Sequence, residues 1–171
     1  YLETRAEVDS NRIVVQGSSW GGYWAARLGF VERDRLRGVV AQGGGAHYFF
    51  QPEWQRKGLG TREFLFDLFP ARASIYRTET LDDFLAYGPR LSLLDSGLVD
   101  QPSAPMLLIN GELDSQVPID DLLLLLRHGT PKQAWINPVG GHGGRSPDWP
   151  EAAIFERITL PWIKQQLMVA D

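Results

Sequence analysis

Ser19 sits at the centre of Gly17-Ser18-Ser19-Trp20-Gly21, a Gly-x-Ser-x-Gly frame. The apolar run Ile13-Val14-Val15 precedes it, and an alanine-containing helical pattern, Tyr23–Phe30, follows almost at once. A serine at a tight turn from strand to helix presents its hydroxyl above the sheet edge. Small residues flank it because strand and helix pass too close for side chains. The frame selects Ser19 over Ser18, and Gly22 adds clearance. The helix N-terminus behind Ser19 favours negative charge there. Such a residue supports nucleophilic attack, provided that a base removes its proton and an acid orients the base.

An elbow serine is followed in chain order by an acid and then by a histidine. The chain has three histidines. His47 stands at the entry to a long aromatic segment. His128 ends a helical pattern, where the dipole favours a cation. His142 lies in a glycine-rich loop, Gly140-Gly141-His142-Gly143-Gly144, after the last apolar run, and such a loop lets an imidazole reach a neighbouring strand's end. For the acid, Asp114 follows the run Pro105–Asn110, and Glu112, two residues earlier, is the alternate. Ser19, Asp114 and His142 then occupy three loops, each at the C-terminal end of a strand and in the expected order. The Ser19 hydroxyl is expected within hydrogen-bonding reach of one ring nitrogen of His142, with Asp114 on the other.

Four continuous apolar runs position these loops: Arg12–Gln16, Leu36–Gln42, Pro105–Asn110 and Gln133–Asn137. Continuous rather than alternating runs fit strands covered on both faces. Helical patterns separate them. Tyr23–Phe30 follows the first, and Ile119–His128 follows the third with Asp120 and Asp121 in its first turn. A last pattern runs over about 150–168, with Asp148 as expected N-cap, Pro150 near the first position and Pro161 as a kink or break. This alternation predicts an α/β fold with a parallel sheet. The stretch from Gly43 to Ser103 breaks the rhythm and is rich in aromatic residues. Short helices are expected in it near Glu53–Lys57, Thr61–Leu68 and Leu81–Tyr87, since so long a loop without structure of its own is improbable. The plain account of its rings is mutual packing; the functional account is a cap over a substrate pocket.

Composition narrows the partners. With 43% hydrophobic and 22% charged residues in 171, the chain can bury a core. A net charge of −4 with no basic stripe argues against nucleic acid. The absence of cysteine removes thiolate chemistry and Cys-type zinc sites. No apolar run approaches the length of a membrane span, and no signal peptide is visible, so a cytoplasmic location is expected. No His/Asp/Glu cluster has metal-ligand spacing, and neither metal nor cofactor is expected.

The segments GSSWGGYWA, PMLLINGELDSQVP and GGHGGR resemble the elbow, acid and histidine stations of the α/β-hydrolase superfamily. The resemblance covers nearly the whole chain, as the C-terminal half of that fold. In detail the chain is similar to the esterase branch named after the fermentation–respiration switch protein, which includes dihydroxypseudooxynicotine hydrolase and fungal polyketide-shortening pigment hydrolases. The resemblance implies a small-molecule hydrolase without a cofactor, cleaving an ester or a C–C bond beside a ketone through an acyl-enzyme. Ser19 is then the nucleophile, His142 the base and Asp114 its partner. It implies the Trp20 N–H as one oxyanion donor, with the other from a loop upstream of the elbow. Residues of about 46–103 become a helical cap insertion, with His47, Phe50 and Trp54 as contacts for a bulky, aromatic or polyketide-like substrate. Dehalogenase or epoxide hydrolase chemistry needs a carboxylate at the elbow, which Ser19 excludes. The other reading is a catalytically silent hydrolase fold used for binding or regulation; the intact Ser19, Asp114 and His142 argue against it.

In that superfamily about four strands precede the elbow, and here Tyr1 opens what reads as the tail of a helix. The expectation is the C-terminal part of one hydrolase domain. An N-terminal half, in cis or as a cleaved chain, completes the sheet beside Ile13–Gln16. Alone, the piece is expected to fold and catalyse poorly, because an apolar sheet edge left open is prone to association. A homodimer is among the expected assemblies.

Overall fold

The computed structural model describes residues 1–59 and 68–168. Its sheet has four parallel strands in the order β1-β2-β3-β4: β1 Val14–Ser18, β2 Gly38–Gln42, β3 Met106–Gly111 and β4 Gln133–Asn137. Because every strand runs the same way, the loops bearing Ser19, Asp114 and His142 all leave the sheet along one edge. Helix α1 (Trp20–Val31) joins β1 to β2, and α5 (Ile119–Arg127) joins β3 to β4. Between β2 and β3 lie α2 (Pro52–Leu59), α3 (Leu68–Tyr76) and α4 (Leu81–Tyr87). After β4 come α6 (Glu151–Ile154), a π-turn over Phe155–Thr159 and α7 (Leu160–Met168).

The central strands are covered on both faces, as their continuous apolar runs require. Side chains alternate across a strand. Val39, Ala41, Met106 and Leu108 therefore face one cluster, which includes Tyr23, Phe30 and Leu125. Val40, Leu107 and Ile109 face the other, with Ile154 and Trp162. Strand β1 departs from the expectation. It begins two residues later than read, and Val14 and Val15 are only half-buried. The reason is its place at the edge: among the described residues β1 pairs with β2 alone.

The helices also carry corrections. Asp148 does not cap the last helical segment; Pro150 occupies that position, and no side chain caps it. The interruption expected at Pro161 falls just ahead of it, as a π-turn between α6 and α7. Proline has no N–H to close an α-helical bond, and the turn ahead of it widens, with Leu160 N–H donating to Phe155 O five residues back. Helix α4 matches its expected bounds, and α2 brackets Glu53–Lys57. The helix expected at Thr61–Leu68 lies, apart from Leu68, outside the described residues. Helix α3, which contains Pro70, was not legible in advance. Among the described residues no helix is long and apolar enough to cross a membrane.

Candidate active site

Glycine shapes the turn at Ser19 by close approach. A Cβ on Gly17 would stand 2.0 Å from the Gly21 carbonyl oxygen, so strand and helix meet there backbone to backbone. One expectation about the flanking glycines fails. A Cβ on Gly21 would meet nothing within 4 Å, whereas one on Gly22 would lie 2.6 Å from the Gln42 carbonyl oxygen. The second tight contact thus belongs to Gly22, because the helix has by then turned its face toward β2.

Ser19 itself has φ 57° and ψ −120°. A positive φ is rare for a residue with a side chain and costs of the order of 1–3 kcal/mol. It has a consequence for the hydroxyl. Ser19 is the N-cap of α1, and an N-cap serine ordinarily accepts a backbone N–H from the first turn. Here no such side-chain bond forms. The main chain does the capping: Gly22 N–H and Tyr23 N–H donate to Ser19 O at 2.9 and 3.2 Å. Trp20, at the first helical position, carries one of the N–H groups that have no acceptor inside a helix.

Across the sheet edge, Asp114 and His142 form a buried pair, with Nδ1 of His142 2.9 Å from Oδ2 of Asp114. The His142 side chain is 8% exposed and that of Asp114 0%. Oδ1 of Asp114 accepts from the N–H groups of Gln116 and Val117 at 2.8 and 3.0 Å. A carboxylate only accepts, so Nδ1 carries a proton, and in the neutral ring Nε2 is the nitrogen with a lone pair. Glu112, the alternate acid, is exposed, and its backbone N–H is bonded to Asn137 O.

The structure does not form the expected bond from Ser19 to this histidine: Nε2 of His142 is buried with no hydrogen-bond partner among the described residues. The two residues flank one segment of chain. Ser19 N–H donates to Gln42 O at 2.7 Å, and a Cβ on Gly43 would lie 3.0 Å from Cε1 of His142. Such bonds are commonly long or misaligned before substrate binds and tighten afterwards.

A small recess opens beside Ser19, lined also by Trp20, Gly45, Phe49, Arg72, Gln116 and Val117. The Arg72 guanidinium lies 5.5 Å from the Trp20 ring centre and 5.4 Å from that of Phe49, and donates to Oε1 of Gln55. Burial lowers its pKa from the ordinary arginine value. A second small recess shares Trp20 and Arg72 and continues to Phe50, Tyr76, Phe84 and Tyr87. Of the three residues expected at the substrate, only Phe50 lines one of these recesses. His47 is engaged elsewhere, with Nδ1 2.7 Å from Oγ of Ser92, and Trp54 Nε1–H donates to Gln116 O. Phe49 and Arg72 line the recess beside Ser19. Gln116 and Val117 were within reach of sequence reasoning, standing two and three residues past Asp114. Arg72 gave no signal, because it depends on the placement of α3.

Asp121 is the other residue whose part was not legible. It was expected only as a dipole partner in the first turn of α5. It is fully buried, and it accepts N–H groups from His47 and Tyr48 at 2.7 Å each and from Phe49 at 2.9 Å. Burial pushes its pKa up, against the downward pull of those donors. Through Phe49 it anchors one wall of the recess. Replacing Asp121 by alanine leaves three backbone donors without their acceptor, and should destabilise the fold by about 3 kcal/mol or more. Denaturant unfolding of the variant against the parent measures this.

A family model described as the prolyl oligopeptidase family matches residues 1–169. No curated protein matches the sequence. Among solved structures, 2,6-dihydroxy-pseudo-oxynicotine hydrolase superposes with a TM-score of 0.75 at 19% identity, over 98% of this chain and 43% of its own. Acetyl xylan esterase 1 from Thermoanaerobacterium sp. gives 0.65 at 16%, over 96% and 49%. An acylaminoacyl peptidase from Pyrococcus horikoshii gives 0.68 at 18%, over 99% and 26%. The chain thus spans less than half the length of each of these structures, and at these identities the likeness is one of fold, the α/β-hydrolase fold.

Proposed function

The chain belongs to the prolyl oligopeptidase family, and on that premise we propose that it carries the nucleophile, base and acid of a serine hydrolase: Ser19, His142 and Asp114. The observation behind this reading is the buried Asp114–His142 pair, whose outer nitrogen has no partner among the described residues. Ser19 attacks the acyl carbon while Nε2 of His142 takes its proton, and Asp114 stabilises the imidazolium that forms. The oxyanion is met by the Trp20 N–H and the positive end of α1. Collapse breaks the bond to the leaving group, which takes the proton from His142. Water, deprotonated by His142, then attacks the acyl carbon; the acyl–Oγ bond breaks, the acid leaves, and His142 returns the proton to Ser19.

The bond broken is an ester, or the C–C bond of a β-diketone. In the second case the leaving group is an enolate, and the same proton completes it as a ketone. Trp20 and Phe49 beside Ser19 support an aromatic or otherwise bulky apolar acyl group. The helices between β2 and β3 serve as the cap. Further chain of the same hydrolase, in cis or as a cleaved polypeptide, covers the outer edge of β1 and brings the second oxyanion donor. The family's name favours a second reading, amide hydrolysis.

The test is turnover by the natural full-length protein of p-nitrophenyl esters of aliphatic and aromatic acids, an aryl β-diketone and aminoacyl p-nitroanilides. Esters or the diketone should be cleaved faster than the anilides. Preference for the anilides assigns a peptidase. No turnover, together with no labelling by a fluorophosphonate, means a silent fold.

A further inference from the structure

Three buried carboxamides stand at the C-terminal ends of adjacent strands: Gln42 on β2, Asn110 on β3 and Asn137 on β4. All three turn onto the loop that carries His142. Gln42 Nε2 donates to Gly143 O at 2.9 Å. Gly143 N–H donates to Oδ1 of Asn110 at 3.0 Å. Asn137 Nδ2 donates to Gly144 O at 2.8 Å. Gly143, the residue directly after the histidine, therefore has both of its backbone polar groups held by side chains from two different strands. It sits at φ 68°, in the left-handed region that favours glycine.

A glycine-rich loop is a poor platform for a base. One hydrogen bond from Nδ1–H to Asp114 orients the ring, but does not by itself set how far Nε2 stands from Ser19. Gln42 links the two ends of that distance. Its backbone carbonyl accepts from Ser19 N–H at 2.7 Å, while its side chain holds Gly143. Asn110 couples the base to the acid loop in the same way, since its Nδ2 donates to Val117 O at 3.4 Å, and Val117 N–H is bonded to Asp114. Gln42 Nε2 is engaged a second time by Glu151 at 3.2 Å, which further restrains its reach.

We infer that Gln42, assisted by Asn110, is a positioning residue that sets the separation of His142 from Ser19. The inference rests on the serine-hydrolase reading above. The geometry acts on the transition state, in which the proton passes to Nε2, and only weakly on substrate binding. A displacement of about 1 Å in such a site can cost about 10²-fold in rate.

The experiment measures kcat and KM for a p-nitrophenyl ester with Gln42→Met in the natural full-length protein, at a temperature well below the melting point of the variant. Gln42→Asn is measured beside it; it keeps the amide but withdraws it by one methylene, and serves if Gln42→Met does not fold. Both should lower kcat, Gln42→Met by about 10²-fold, with KM close to the parent's, and the rate of fluorophosphonate labelling should fall in parallel. A lowered melting temperature with kcat and labelling unchanged would make the amides scaffolding only and overturn the inference. His142→Ala in the same assay separates the two claims. If it stays active, the hydrolase reading fails; if it is inactive while the Gln42 variants match the parent, only the positioning role fails.

Discussion

Ser19→Ala is expected to remove hydrolysis, with a loss in kcat of about 10⁶-fold, the scale on which serine hydrolases lose their covalent step. Ser18→Ala should leave turnover close to the parent's. The adjacent serines differ in backbone rather than chemistry. Ser18 is the last residue of β1 and exposed. Ser19 takes the strained conformation that turns its hydroxyl away from capping α1 and lines the recess. Steady-state ester hydrolysis and the mass of the fluorophosphonate-labelled peptide measure the difference. Equal losses in the two variants, or label on Ser18, would move the nucleophile.

Asp114→Asn should lower kcat by about 10⁴-fold with little change in melting temperature. The sign follows from the second oxygen. Oδ1 of Asp114 already accepts two backbone N–H groups, from Gln116 and Val117. An asparagine must place its own oxygen there and turn its NH₂ toward His142. Nδ1 then becomes the acceptor, the ring proton moves to Nε2, and the imidazole can no longer take a proton from Ser19. Glu112→Gln, at an exposed position, should have little effect. Nitrogen-15 NMR of the histidine reads the tautomer directly, and a parent-like tautomer and turnover in Asp114→Asn would remove the residue from the site.

The two predictions differ in how far the sequence alone supports them. The frame around Ser19 is local: five consecutive residues between an apolar strand and a helical pattern. Asp114 and Glu112 are equivalent until β3 and β4 are in register, because two residues of loop decide which carboxylate faces the neighbouring strand's histidine. The register pairs Asn110 with Ile136 and Gly111 with Asn137, which brings the two loops together.

Short-range physics made several features readable in advance. Continuous apolar runs marked β2 and β3, because a strand covered on both faces has no polar side to show. The close approach at Gly17 followed from the packing of strand against helix. What the tertiary structure decided lies between residues far apart in the chain. Gln42 meets Gly143 across 101 positions, and Asp121 meets His47 across 74. The recess beside Ser19 takes Arg72 from α3 and Phe49 from the loop after β2, where the sequence suggested His47 and Trp54. Periodicity records which face of an element is buried, not which side chain on another element it will meet. Those meetings depend on the register of parallel strands and on where a helical excursion returns, and both are settled by the packing of the whole sheet.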